Sequence, residues 1–160
     1  CGQGRRQMIR AALLMILLGG AASAQAVCSE DVVSIRGDFG QARFKVSIAD
    51  DPAERAQGLM NVQSMPMMEG MLFVYERPQS PQFWMRNTLI PLDMLFVTPD
   101  GTITRIHKQA IPLDETPIPG GDGVQMVLEV NGGMADRLGI AVGDQMQHPS
   151  FEEDAVWPCE

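Results

Sequence analysis

The chain has 160 residues, 45% apolar and 20% charged, with 20 acidic against 12 basic side chains and a formal net charge of −8. That length suits one domain rather than two, and the composition excludes global disorder, a collagen-like repeat and a coiled-coil fibre. The acidic balance argues against a nucleic-acid partner, because phosphate binding needs a basic face.

The chain opens with an export signal. Arg5, Arg6 and Arg10 precede the apolar run Ala11 to Leu18, and small residues follow to Ala26. Ala22-Ser-Ala24 and Ala24-Gln-Ala26 both offer the small-x-small pattern of a signal-peptidase site. The apolar run is shorter than the ~20 residues a bilayer span needs. A cleaved signal over 1–26 therefore outweighs an uncleaved interfacial anchor, and no stable membrane insertion is expected afterwards. Arg5-Arg6 resembles a twin-arginine export signal only weakly. Cleavage removes basic residues and no acidic ones, so the mature chain is still more acidic. The expected address is periplasmic or secreted.

Cys28 and Cys159 survive cleavage. In an oxidising compartment an even pair reads as a disulfide, here joining the two ends of the mature chain. Two free thiols are the alternative. A catalytic thiol is disfavoured, because neither cysteine lies in a C-x-x-C or beside a histidine.

The elements follow in chain order. Val32 to Ile35 is a first strand. Phe44 to Ile48 alternates, with Arg43, Lys45 and Ser47 facing outward, as a half-buried strand does. Asp50-Asp51-Pro52-Ala-Glu54 carries helix-start signals, and the helix should reach about Met60. Gly70 to Tyr75 lacks alternation, so both its faces should be covered. Pro78 and Pro81 should break the chain before Phe83-Trp84-Met85. Leu92 to Thr98 is a strand, Pro99-Asp100-Gly101 a hairpin turn, and Thr102 to Ile106 the returning strand. Residues 111–123 hold three prolines and three glycines and read as a long loop, a candidate lid. Val124 to Val130 is a strand, Met134 to Leu138 a short helix stopped by Gly139, and Ile140 to Met146 a last strand. The tail from His148 to Glu160 reads as an acidic, solvated extension pinned by Cys159. Short strands with two short helices predict an α+β domain whose sheet is mostly antiparallel, with barrel-like closure as one form.

Five blocks come in a set order: Gly58-Leu-Met60, Gly70-Met-Leu-Phe73, Phe83-Trp-Met-Arg-Asn-Thr88, Pro91-Leu-Asp93 and Val127-Leu-Glu-Val130. Together they resemble the bacterial and archaeal family known as domain of unknown function 192. The resemblance covers about Phe44 to Met146. It implies a small, often exported, mixed α/β domain and no established reaction. The family usually has an aromatic residue and then Arg directly after Gly-Leu-Met. Here Asn61 and Val62 stand there, so any contact made by that Arg is missing or replaced. The chain thus divides into a signal peptide (1–26), an N-terminal extension with the first strand (27–43), the globular domain (44–146) and the acidic tail (147–160).

Asp93 and Glu129 each sit inside an apolar strand, where a carboxylate costs several kcal/mol unless paired or hydrogen-bonded. If both face one side, they form an acid/base pair of the kind hydrolases use. The structural alternative is that each holds Arg55, Arg86 or the N–H groups of a turn. At least one should be buried and bonded to an arginine.

Trp84, Asn87 and Thr88 offer a stacking face and polar groups where a strand meets a loop. The alternative is that Trp84 is core while Asn87 and Thr88 bond their own turn. The main expectation is a binding module for a small molecule or peptide, with Arg55, Trp84, Asn87, Thr88, Asp93 and Glu129 as binding residues and no catalytic residue assigned.

Met60, Met65, Met67, Met68 and Met71 crowd one segment, with Met85 nearby. Thioethers suit Cu(I), which makes a methionine-rich copper carrier a third reading beside adaptable packing. Asp114, Glu115 and Asp122 near Gly120 suit at most a weak surface calcium site. There is no Walker loop, dinucleotide fingerprint, H-E-x-x-H or G-x-S-x-G, so no cofactor is expected.

Overall fold

A computed structural model describes residues 28–151 and 154–159. The export signal predicted over 1–26 lies outside the described residues. In order, the elements are β1 (Val32–Gly37), β2 (Gly40–Ala49), α1 (Pro52–Gln57), β3 (Glu69–Gln79), β4 (Gln82–Phe83), β5 (Leu92–Val97), β6 (Ile103–Ala110), β7 (Ile118–Pro119), β8 (Val124–Asn131), α2 (Met134–Leu138) and β9 (Gln145–Gln147). Seven strands form one sheet in the order β6-β5-β8-β3-β2-β1-β9, while β4 and β7 pair separately.

The sheet is mixed rather than purely antiparallel. β2 and β3 run parallel, whereas β1–β2, β1–β9, β3–β8, β5–β6 and β5–β8 are antiparallel. A parallel pair needs a crossover long enough to return the chain to its starting end, and the segment carrying α1 supplies it. The sheet curls until its edge strands meet at one end. Thr102 bridges Gln145. The Ile103 N–H donates to the Asp144 carbonyl at 2.9 Å, and the Gly143 N–H to the Ile103 carbonyl at 2.8 Å. The result is a half-barrel.

The curl creates two cores. Ile35 of β1, Ile103 of β6 and Met146 of β9 join Phe44, Leu72, Leu95 and Leu128 in one cluster, with Met134 and Ala135 of α2 packed onto it. Residues from both sheet edges meet there, so this is the inner face. Phe73, Met85, Met94, Phe96 and Val127 form the second core on the outer face, beneath the chain around Leu59, Met85 and Ile118. All six residues of β5 are buried because it is covered on both sides.

Several predicted elements change form. Asp51 caps α1, its Oδ1 accepting from Ala53 N–H at 2.7 Å and Glu54 N–H at 2.8 Å. The helix ends at Gln57, short of Met60, because Gly58 turns to φ +47°. A Cβ at Gly58 would lie 3.2 Å from Phe73 Cζ, so glycine lets the chain turn hard against that ring. β3 runs through Pro78 to Gln79 rather than breaking, because its pairing with β8 shifts register between Val74 and Gln79. A proline in that unpaired stretch removes no ladder hydrogen bond. The last strand shortens to Gln145–Gln147.

Residues 111–123 are not a loose lid. Ile118 is buried, β7 pairs with β4, and Gly120 N–H donates to the Pro81 carbonyl at 2.9 Å. The described part of the tail is not a solvated extension either. Val156 N–H donates to the Asp100 carbonyl at 2.9 Å, and the Arg36 guanidinium lies 4.5 Å from the Trp157 ring centre. Cys28 and Cys159 form a disulfide with Cα atoms 5.7 Å apart. Among the described residues no helix is long and apolar enough to cross a membrane.

Candidate functional site

The β5–β8 register separates the two buried acids. Asp93 pairs with Val130 and Met94 with Glu129. Directly paired residues share a face and successive residues alternate. Asp93 therefore lies on the inner face with Leu95 and Leu128, and Glu129 on the outer face with Met94 and Val127. The two carboxyls do not share a site, which removes the paired-acid arrangement that a hydrolase reading requires.

Asp93 is fully buried and spends its acceptors on backbone. Its Oδ1 accepts from Gln109 N–H at 2.8 Å and Gly133 N–H at 2.9 Å, and its Oδ2 from Ala135 N–H at 2.8 Å. Gly133 is the N-cap of α2 and has no side chain to cap with, so Asp93 caps that helix from a distant strand. On its other side lies an irregularity where Leu92 pairs with Ala110 but Met94 with His107. Gln109, in that bulge, takes φ +51°. Asp93 thus holds the bulge and the helix together without touching a cavity or an arginine.

Glu129 is also 96% withdrawn from water, at 4% exposure, but its surroundings differ. Among the described residues no hydrogen bond or ion pair reaches its carboxyl. Burial alone pushes its pKa up, to about 8, so it is mostly protonated at neutral pH. It faces a cavity of about 270 Å³. Arg55, Leu59 and Met60 line one side, Phe73 and Tyr75 of β3 another, and Phe83, Trp84 and Thr88 a third. Phe73 and Phe83 meet edge to face at 5.1 Å between ring centres. A wider depression of about 830 Å³ lies between Gly37 and Gly143, but exposed and half-buried side chains line it.

Arg55 does not reach Glu129, against the expectation of an arginine-bound acid. Its guanidinium donates to the Asp50 carbonyl, to the Val74 carbonyl at 2.8 Å and to Glu76 Oε1 at 3.1 Å. It also lies 5.1 Å from the Tyr75 ring centre. The Tyr75 hydroxyl is held above its ordinary pKa chiefly by burial; Arg55 opposes that shift and Glu129 adds to it.

Of the six predicted binding residues, Arg55, Trp84, Thr88 and Glu129 line this cavity. Asn87 is at its margin, its Nδ2 4.0 Å from Met60 Sδ, and its carbonyl accepts from Asn61 N–H at 2.8 Å. Asn61 and Asn87 both adopt positive φ, which asparagine tolerates better than most side chains. Asn61 stands where the family usually has an aromatic residue, so that position serves here as a turn. Trp84 is 45% exposed rather than core, with the Arg86 guanidinium 5.4 Å from its ring. Asp93 is the one placed elsewhere. Sequence reasoning missed Phe73, Tyr75, Phe83 and Leu59 as cavity walls. The Gly-Leu-Met and Gly-Met-Leu-Phe blocks pointed to that region but read as packing alone.

The methionines scatter. Met85 is buried, Met65 and Met71 pack against the outer core, and Met67 and Met68 are exposed. Met67 Sδ takes a hydrogen bond from Arg137 at 3.1 Å. Among the described residues no group of three or more His, Cys, Asp or Glu could hold a metal ion. Asp114 accepts from Thr116 N–H in its own turn, and Asp122 from Ser80 Oγ across the end of β3.

The profile of domain of unknown function 192, described as Uncharacterized ACR, matches residues 33–148. No curated protein matches the chain. A crystal structure of a protein of unknown function from Novosphingobium aromaticivorans DSM 12444 is 43% identical, with a TM-score of 0.71, covering 72% of this chain and 82% of that one. A protein from Sinorhizobium meliloti 1021, provisionally assigned as a transcription regulator, is 38% identical with a TM-score of 0.71, covering 76% and 95%.

Proposed function

This chain belongs to the domain of unknown function 192 family, and from that premise we propose that it is an exported binding protein for a small ligand, not an enzyme. The observation carrying the proposal is Glu129: a buried carboxyl without a partner among the described residues, facing an aromatic-walled cavity. A carboxyl in a central strand with no partner among the described residues is costly to ionise, and its oxygens are open only to what enters the cavity; such local inconsistencies concentrate at functional sites. The cavity volume of about 270 Å³ is at the small end of ligand sites, which favours a small molecule over a long peptide. The disulfide and the signal-like N-terminus support an oxidising, exported location. A net charge of −8 speaks against nucleic-acid binding by this chain.

A fragment library screened by thermal shift tests this reading against wild type, Trp84→Ala and Asn87→Ala. Hits should stabilise wild type, lose their effect in Trp84→Ala and weaken less in Asn87→Ala, which sits at the margin. Equal responses in all three refute the site. Native mass spectrometry of protein from its own compartment would show a retained ligand as excess mass.

A further inference from the structure

Resting on the cavity just described, we infer that the ligand carries an organic cation, an ammonium or guanidinium group flanked by apolar carbon, which Glu129 receives as a carboxylate among aromatic rings. Three observations converge. The first is the carboxyl itself, 4% exposed, aimed into the cavity and touched by no donor among the described residues. A cationic donor satisfies such a group most fully, because it supplies both hydrogen bonds and charge. The second is the wall. Phe73, Tyr75, Phe83 and Trp84 surround the same space, and aromatic faces attract cations most strongly when water is excluded. Tyr75 already does this for the protein's own Arg55, at 5.1 Å.

The third observation is that the resident cation is spoken for. Arg55 is held by two backbone carbonyls and by Glu76, and makes no bond to Glu129. The ionisable groups around the cavity are Arg55 from the α1 side, Tyr75 from β3 and Glu129 from β8; β5 opposes Glu129 with Met94, and the 82–88 segment contributes Trp84 and Thr88. An arriving cation therefore finds one receptive anion among the described residues of the lining, beside an Arg55 already paired with Glu76. The acidic surface raises the local concentration of cations before they enter.

This ligand class has a protonic signature. The empty site holds Glu129 protonated near neutral pH. Binding a cation ionises it, and the proton leaves to solvent. At pH 7 about 0.9 proton should be released per cation bound, and affinity should rise roughly tenfold per pH unit below about 8. A neutral or anionic ligand that uses the protonated acid as a donor releases none, and loses affinity as pH rises through that value.

The test uses the exported chain and three probes of one shape: benzylammonium, benzyl alcohol and benzoate. Calorimetry in two buffers of different ionisation enthalpy counts protons, and the Trp84 indole N–H resonance reports occupancy. Benzylammonium should bind best, release close to one proton at pH 7, and bind Glu129→Gln at least tenfold more weakly. Equal or tighter binding of benzyl alcohol or benzoate, without proton release, overturns the cation inference and leaves the small-ligand reading standing. If none of the three moves the Trp84 resonance, both readings fall. The proton count on wild type needs no variant, so it stands even if Glu129→Gln misfolds.

Discussion

Asp93 and Glu129 lie on neighbouring strands, one rung apart in the same ladder, and point to opposite faces of the sheet. Both are buried acids between apolar residues, yet their chemistry diverges. Asp93 accepts three backbone N–H bonds, and Glu129 meets a cavity. One acid therefore belongs to the architecture and the other to the site.

Asp93 should behave as a structural carboxylate. Asp93→Ala leaves three N–H groups without their acceptor, that of Ala135 buried and the other two partly so, a loss of about 3 kcal/mol. Asp93→Asn should cost less, since its carbonyl oxygen still accepts. Amide hydrogen exchange is the sharper readout: Gln109, Gly133 and Ala135 should all lose protection in Asp93→Ala, and Ala135, which donates to the second oxygen, in Asp93→Asn. Unchanged exchange at all three would remove the capping role.

Glu129 sets a pH dependence with a definite sign. Its folded pKa is raised from 4.5 to about 8, so the unfolded chain releases this proton at lower pH than the folded one. Stability from this group is fully present below about pH 4.5 and is lost as pH rises to about 8. At pH 7 the loss is about 3 kcal/mol. Glu129→Gln should therefore be more stable than wild type at pH 7 and close to it at about pH 5. Urea midpoints at the two pH values check this; a variant less stable at both contradicts it.

His148 works in the other direction. The ring is 2% exposed, its Nε2 2.9 Å from the Glu30 carbonyl and its Nδ1 accepting from Ser150 N–H at 3.1 Å. Burial lowers its pKa below 6.5, with Glu30 opposing. The fold thus prefers the neutral ring. Stability is fully present above about pH 6.5 and falls as pH drops through the lower folded value. His148→Gln should flatten that acid-side slope, read from denaturation midpoints on either side of 6.5. An identical slope in the variant rules the histidine out as its source.

The Cys28–Cys159 bond closes almost the whole domain, with a sequence separation of 131. Loop-closure entropy for that span gives about 4–5 kcal/mol. Cys28→Ser and Cys159→Ser should each lower the denaturant midpoint, and the double variant should lower it no further. Additive losses would mean that the thiols act separately.

The Gly-Leu-Met turn supports the cavity wall. Gly58→Ala places a methyl 3.2 Å from Phe73 Cζ at a positive φ. It should cost about 1–2 kcal/mol and weaken ligand response together with stability. A fully stable Gly58→Ala would deny the glycine its turn role.

Local signals were readable wherever the physics is local. The Asp51 cap, the 99–101 turn, the α2 span and its Gly139 stop, and the alternation in β2 follow from neighbouring residues and appear in the structure as expected. Pairing depends on distant partners, and there the reading failed. No residue near Pro78 reveals that the ladder with β8 shifts register and lets β3 continue. Nothing near Ile118 reveals that its partner is Phe83.

The candidate site divides the same way. The family blocks and the odd acid at Glu129 were visible in the chain, because a charge among valines and leucines is a local contradiction. Whether that acid meets Asp93, an arginine or a cavity is decided by strand register, since a shift of one residue exchanges the faces. Sequence alone determined the family, the short-strand composition and the presence of buried acids. Only the tertiary structure decided that Asp93 caps a helix, that Glu129 meets a cavity walled by four aromatic rings, and that the two tasks lie on opposite sides of one sheet.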